Sequence, residues 1–143
     1  MLLSCNGPAD SPRPAKMTNG ILIVDDSARV RRVVRSYLTE RDFDVCGEAI
    51  DGRDAIKKAR ELKPALILLD VSMPDLNGVE VASIVKDSLP GVRILAFTMF
   101  DDLLSCKLLT TAIGIDGVVA KADGFSRLEE SIRALLDYRT ASV

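Results

Sequence analysis

Five short apolar runs, each ending at a polar or small residue, constrain the fold of this chain more than any other feature. The strands predicted from them span residues 21–24, 43–49, 65–69, 92–97 and 115–120. Segments with the periodicity of amphipathic helices separate these runs, and the connections are short. Regular alternation of strand and helix favours a parallel sheet with helices on both faces and right-handed crossovers. We therefore predict an α/β fold built from five βα units.

The first βα unit has the clearest local signals. Its strand, Ile21–Val24, is continuously apolar, which is typical of a strand buried on both faces. Ser27 is predicted to cap the following helix. Arginines cover one side of that helix, and we interpret them as a solvated face rather than as a docking patch. They are Arg29, Arg31, Arg32 and Arg35.

Capping and breaking residues bound the later helices. They are Asp51-Gly52, Pro64, Asn77, Pro90-Gly91, and Ser126 with Glu129 at capping-box spacing. The fourth predicted helix, Asp101 to Ala112, is more apolar than a surface helix requires. Its excess of apolar residues fits either a core position or a partner interface, and the sequence leaves both open.

Composition narrows the function mainly by exclusion. The chain of 143 residues is most simply one domain, and its net charge of −2 indicates neither nucleic-acid binding nor an anionic membrane surface. Histidine is absent and the three cysteines lack CxxC spacing, which excludes a His-dependent triad and a Cys/His metal site. Reduced thiols and the absence of a long apolar run favour a cytoplasmic protein.

We predict a disordered lead-in over 1–19, with Met17 as a possible start, a domain over 20–139 and a tail over 140–143.

Residues whose side chains could bind a ligand or react with it follow four of the predicted strands. Asp25 and Asp26 follow the first, Asp70 the third, Thr98 the fourth and Lys121 the fifth. The carboxyl ends of parallel strands share one edge of the sheet, so these distant residues are expected to converge there. Such a cluster could hold one cation and one phosphoryl group.

Four motifs carry a resemblance to a known family. ILIVDDS holds the acidic pair, LILLDVSMPDLNG holds Asp70, ILAFT holds Thr98 and GVVAK holds Lys121. In this order and spacing the sequence resembles the response-regulator receiver domain of two-component signalling, over about Gly20 to Tyr138. The resemblance implies a flavodoxin-like, five-stranded parallel sheet of order 2-1-3-4-5.

The acidic residues also call for a cation on physical grounds. Close carboxylates repel one another by about 4 kcal/mol per pair at an intermediate dielectric unless a cation lies between them. Oxygen ligands without histidine or cysteine suit Mg²⁺. We expect the ion at Asp25, Asp26, Asp70 and the backbone carbonyl of Ser72, with Asp25 acting largely through water.

The resemblance implies that Asp70 accepts a phosphoryl group from a histidine kinase or phosphotransfer protein. Lys121 and Thr98 would contact its oxygens. The domain would catalyse its own phosphorylation and dephosphorylation without being an enzyme in the usual sense. Movement of Thr98 would change the surface formed by the fourth helix, the fifth strand and the fifth helix.

The partner of that surface is an output domain, another protein or a second copy of the chain. A stand-alone receiver and a fragment of a regulator with a DNA-binding output domain are both compatible with the sequence. We expect no membrane contact and no direct nucleic-acid binding by this domain.

Three departures from the family pattern keep other functions open. Val118 replaces the usual aromatic switch residue, Ala122 replaces a frequent proline after the lysine, and Met99 is larger than the usual residue after Thr98. Val118 and Met99 favour the alternative of a phosphorylation-independent interaction module. A Mg²⁺-dependent phosphohydrolase with an aspartate nucleophile is a weaker alternative, because Ser72 stands where such enzymes carry a second acid.

Overall fold

The computed structural model describes residues 20–71, 78–99 and 114–141, which form a single parallel sheet flanked by helices. Its strands are β1 (Ile21–Val24), β2 (Val45–Ala49), β3 (Leu66–Leu69), β4 (Arg93–Thr98) and β5 (Gly117–Ala120). Its helices are α1 (Ala28–Glu40), α2 (Gly52–Leu62), α3 (Gly78–Ser88) and α4 (Phe125–Ala141), with a short 3₁₀ helix over Lys121–Asp123. In this numbering α4 is the fifth helix of the sequence prediction. The predicted lead-in, 1–19, and the predicted helix Asp101 to Ala112 lie outside the described residues.

The sheet confirms the predicted topology. The strand order is β2-β1-β3-β4-β5, and each neighbouring pair is parallel. Because β1 and β3 are adjacent, with Val24 opposite Leu69, the residues that follow them emerge side by side. The change of winding direction between β1 and β3 is where open α/β sheets usually bind ligands.

Alternating side chains of the strands build one hydrophobic core on each face of the sheet. Ile21, Ile23, Leu66 and Leu68 pack on one face with residues of α1 and α4. Their neighbours in sequence point to the other face and pack with residues of α2 and α3. Both faces are therefore covered, which explains why β1 and β3 are apolar at every position.

Helix termini confirm some of the predicted caps and correct one. The Ser27 hydroxyl accepts a hydrogen bond from the Val30 N–H at 3.2 Å, which confirms it as the N-cap of α1. The Asp51 carboxylate caps α2 in the same way. Ser126 is wrong as the N-cap of α4, because the helix already begins at Phe125. Gly124, with φ of +87°, reverses the chain directly before it, a conformation that favours glycine. Asn77 lies outside the described residues.

Three aromatic rings connect α1, α4 and β4. The centroid of the Phe125 ring lies 4.9 Å from that of Tyr37 and 6.5 Å from that of Phe97. The Lys121 ammonium lies 5.8 Å from the Phe97 centroid. These contacts join the surface of α1 to the edge of the sheet where β4 and β5 end.

Within the described part of the chain, the helices are too short or too polar to cross a lipid bilayer.

The central strands should contribute most of the stability. Leu66 is fully buried, and we expect Leu66→Ala to lower the free energy of unfolding by about 3 kcal/mol, because it removes apolar contacts and leaves a cavity. Urea unfolding followed by circular dichroism measures this loss. Val33→Ala is the control, since Val33 is 44% exposed and its truncation should lower the free energy of unfolding far less. Equal losses in both variants would contradict the assigned core.

Candidate functional site

The acidic residues are held by backbone hydrogen bonds at the carboxyl ends of β1 and β3. The Asp25 N–H donates to the Ala49 carbonyl at 3.1 Å, and the Asp70 N–H donates to the Val24 carbonyl at 3.0 Å. Both residues therefore continue the sheet ladder by one position. Their side chains are fixed relative to each other by the sheet itself.

The structure brings the three predicted acids together. Oxygen atoms of Asp25, Asp26 and Asp70 all lie within 4.8 Å of one another. Asp25 and Asp70 are buried, whereas Asp26 is exposed. The cluster thus has a buried base and one acid at its rim, and its oxygens are close enough to contact one small cation.

Lys121 reaches the same cluster from the end of β5. Its ammonium donates to the carboxylate of Asp25 at 2.8 Å and to that of Asp70 at 3.3 Å. The lysine starts the 3₁₀ helix that follows β5, which places it at the same edge of the sheet. One cation is therefore shared by two buried carboxylates from different strands.

This sharing leaves an excess of negative charge. Burial raises the pKa of Asp25, and the charge of Asp70 adds to the rise, although hydrogen bonds from Lys121 and the Ser27 N–H oppose it. Burial works against the ammonium of Lys121, but the two carboxylates outweigh this effect and raise the pKa of the lysine. A single lysine thus stays charged without neutralising both acids.

Two further predicted site residues differ in how they are placed. Thr98 is fully buried and is the last residue of β4, where it lies opposite Ala120 in β5, directly before Lys121. The strand extends one residue beyond the predicted end at Phe97, so Thr98 takes part in the sheet. Ser72 lies outside the described residues.

The three departures from the family pattern lie in β5 or just after β4 and β5. Val118 is half-buried and packs with the core on the α2 and α3 face. Met99, directly after Thr98, is 68% exposed, and Ala122 is exposed in the 3₁₀ helix.

Sequence reasoning missed Arg31 and Glu48. Interpreting all four arginines of α1 as solvated is wrong for Arg31, whose side chain is 14% exposed. The Arg31 guanidinium donates to the Asp25 carbonyl at 2.7 Å and to the Glu48 carboxylate at 3.0 Å. The spacing of Arg31 and Arg35 by one helical turn, together with the lone acid of β2, is the signal that could have revealed the contact.

Glu48 is held in its charged form. Partial burial opposes ionisation, but hydrogen bonds and charges from Arg35 and Arg31 outweigh it and lower the pKa of Glu48. Glu48 therefore offers both arginines a carboxylate at neutral pH.

Comparison with known proteins agrees with this geometry. The family model of the response regulator receiver domain matches residues 21–133, and these include Asp25, Asp26, Asp70, Thr98 and Lys121. The chain belongs to this family. The resemblance seen in the motifs is thereby confirmed, as is the CheY-like, flavodoxin-like fold.

The receiver domain is similar to longer regulators. It is 42% identical over 115 residues to the response regulator protein VraR of Staphylococcus saprophyticus, an alignment that covers 79% of this chain and 54% of that protein. The chain thus spans about half the length of the curated relatives it matches.

Solved structures show the same similarity. A LuxR-family two-component response regulator from Aurantimonas sp. SI85-9A1 superposes with a TM-score of 0.77 at 30% identity, covering 82% of this chain and 84% of that one. A CheY-like receiver domain protein from Methanospirillum hungatei JF-1 shares the fold, with a TM-score of 0.79 at 22% identity over 87% of this chain and 98% of that one.

The shared ammonium predicts a specific pattern of stability. In metal-chelated buffer, Lys121→Met should lower the free energy of unfolding by about 2 kcal/mol, because Asp25 and Asp70 lose a charged donor and face each other. Adding Asp25→Asn to Lys121→Met should recover part of this loss. Urea unfolding of both variants measures their losses of stability. Lys57→Met, on the exposed side of α2, is the control. A loss in Lys121→Met no larger than in the control would contradict the bridge.

Proposed function

We propose that this receiver domain accepts a phosphoryl group from a phosphohistidine onto Asp70, with Mg²⁺ as its metal ion, and signals by a change of conformation. The observation that carries the proposal is the Lys121 ammonium shared by Asp25 and Asp70 within a cluster of three acids. An aspartate nucleophile, a cation ligand set and a positive charge for the phosphoryl oxygens meet there in one pocket.

The donor set fits magnesium. Every side-chain ligand that the cluster offers is a carboxylate oxygen, and the exposed position of Asp26 leaves room for the waters that Mg²⁺ retains. Asp25, Asp26 and Asp70 would hold the ion, and the Ser72 carbonyl remains a predicted fourth ligand. When bound, the ion supplies positive charge that reduces repulsion between the carboxylates and an incoming phosphoryl group.

The protein residues then have distinct roles in the transfer. An Asp70 carboxylate oxygen bonds to phosphorus, while the phosphorus–nitrogen bond of the phosphohistidine breaks and the imidazole leaves. Lys121 would bind one phosphoryl oxygen, and the Thr98 hydroxyl would donate to another. Water later cleaves the acyl phosphate, which restores the carboxylate of Asp70 and releases phosphate.

The partners follow from the same chemistry. The donor would be a sensor histidine kinase or a phosphotransfer protein, and the domain would act in the cytoplasm. The match covers only 54% of VraR, which supports an output domain as the recipient of the signal, and we propose that this output domain binds DNA. The receiver domain itself would occupy 20–139 and signal through the predicted fourth helix, fifth strand and fifth helix, of which only the last two fall within the described residues.

Phosphorylation can be tested by mass. We expect one labile phosphoryl adduct after incubation with acetyl phosphate, or with a phosphorylated histidine kinase, in the presence of Mg²⁺. Asp70→Asn should abolish the adduct because it removes the nucleophilic oxygen. Asp87→Asn, an exposed acid of α3, is the matched control and should be labelled like the wild type.

Two results would contradict the proposal in different ways. An unchanged wild-type mass with every donor would favour the phosphorylation-independent interaction module. Rapid turnover of many phosphate esters would instead favour the phosphohydrolase.

Magnesium should stabilise the fold measurably. At a Mg²⁺ concentration tenfold above its Kd, the free energy of unfolding should rise by about 1.4 kcal/mol, because the ion binds the folded state alone. Asp26→Asn should lose most of this increase, since it removes a carboxylate from the cluster, while Asp87→Asn should keep it. Thermal unfolding at several Mg²⁺ concentrations measures the effect. An equal increase in both variants would rule out the cluster as the metal site.

A further inference from the structure

We propose that Arg31 is a positioning residue for the phosphoacceptor site and that it acts by fixing the peptide group between Asp25 and Asp26. The inference rests on the proposed function of that site. Within the described residues, Arg31 donates hydrogen bonds to Glu48 and to the Asp25 carbonyl, and the Asp25 carbonyl is its contact with the site.

The Asp25 carbonyl controls the orientation of the backbone at two site residues, Asp25 and Asp26. It belongs to the planar peptide that joins Asp25 to Asp26, so its direction sets the orientation of the backbone at both acids. On the other side, the Asp25 N–H is held by the Ala49 carbonyl of β2. Arg31 therefore completes a two-sided restraint on the residue that Lys121 contacts.

A charged donor makes this restraint strong. The guanidinium nitrogen lies 2.7 Å from the Asp25 carbonyl, and hydrogen bonds from ionised donors are shorter and stronger than neutral ones. The position of Arg31 in the first turn of α1 aims it back at the end of β1.

Glu48 orients the guanidinium. Its carboxylate accepts from Arg31 at 3.0 Å with one oxygen and from Arg35 at 2.7 Å with the other. The Lys58 ammonium donates to the Glu48 backbone carbonyl, which fastens this part of β2 to α2. Arg31 thus contacts the two acceptors with separate nitrogens, Nε to Glu48 and Nη1 to the Asp25 carbonyl, a geometry that the single nitrogen of a lysine at this position would not reproduce.

The test compares two arginines that share Glu48. Arg31→Met should raise the Kd for Mg²⁺ by about tenfold, the lower end of the range found when residues that support metal ligands are removed. It should also slow adduct formation with acetyl phosphate by a similar factor when Mg²⁺ is below its Kd. Arg35→Met loses a contact with Glu48 but none with Asp25, so its Kd should match that of the wild type. Amide chemical shifts followed through a Mg²⁺ titration report the Kd.

Two more variants separate positioning from stability. Arg31→Lys should have a Kd between those of the wild type and Arg31→Met, because the single nitrogen of lysine cannot take the place of both Nε and Nη1 of Arg31. Glu48→Gln keeps Arg31 but removes the charged carboxylate that orients it, so it should weaken Mg²⁺ binding less than Arg31→Met does. If Arg31→Met fails to fold, Glu48→Gln takes its place in the comparison. Urea unfolding in metal-chelated buffer measures the stability of each variant without Mg²⁺. A raised Kd in a variant that stays folded is then due to positioning.

The outcomes distinguish the two proposals. If the wild type is phosphorylated while Arg31→Met, or Glu48→Gln in its place, binds Mg²⁺ as tightly as Arg35→Met, the positioning role is wrong and the proposed function stands. If the wild type neither binds Mg²⁺ nor forms an adduct, the proposed function is wrong and the role of Arg31 falls with it.

Discussion

The ammonium of Lys121 is the contact on which the functional edge of this receiver domain depends. It is bound by carboxylates from two adjacent strands, Asp25 after β1 and Asp70 after β3, while the lysine itself follows β5. Three strands of the sheet are thereby tied together at their carboxyl ends. Because two buried acids share one ammonium, the pocket keeps a surplus of negative charge, which is the basis of the proposed magnesium site.

Most of the fold could be predicted because two simple patterns agree along the chain. Ile21–Val24 and Leu66–Leu69 are apolar throughout, which is expected of strands covered on both faces, and α1 and α2 carry one apolar stripe each. The convergence of Asp25, Asp70 and Lys121 then follows from parallel topology alone. Their meeting at one edge of the sheet required no knowledge of side-chain conformations, whereas the ion pairs of Lys121 with Asp25 and Asp70 were not predicted.

The errors arose where tertiary contacts decide the outcome. Arg31 looks like its solvated neighbours in the sequence, and only the approach of β2 to α1 turns it inward onto Glu48 and the Asp25 carbonyl. Ser126 has the spacing of a capping box, but Gly124 ends the 3₁₀ helix and α4 starts at Phe125, two residues earlier than a cap at Ser126 would give. Thr98 extends β4 because Ala120 offers it a ladder partner. Such preferences depend on residues distant in sequence and cannot be read locally.

The row of rings formed by Phe97, Phe125 and Tyr37 has a mechanical consequence. Packed side chains are nearly incompressible, so a shift of β4 at its carboxyl end must move Phe97 against Phe125 and Phe125 against Tyr37. Arg41 stacks on Tyr37 at 3.6 Å and also pairs with Glu129 of α4. The outer side of α1 and α4 is therefore joined to the carboxyl end of β4 by packed rings, and none of these ring contacts involves residue 118.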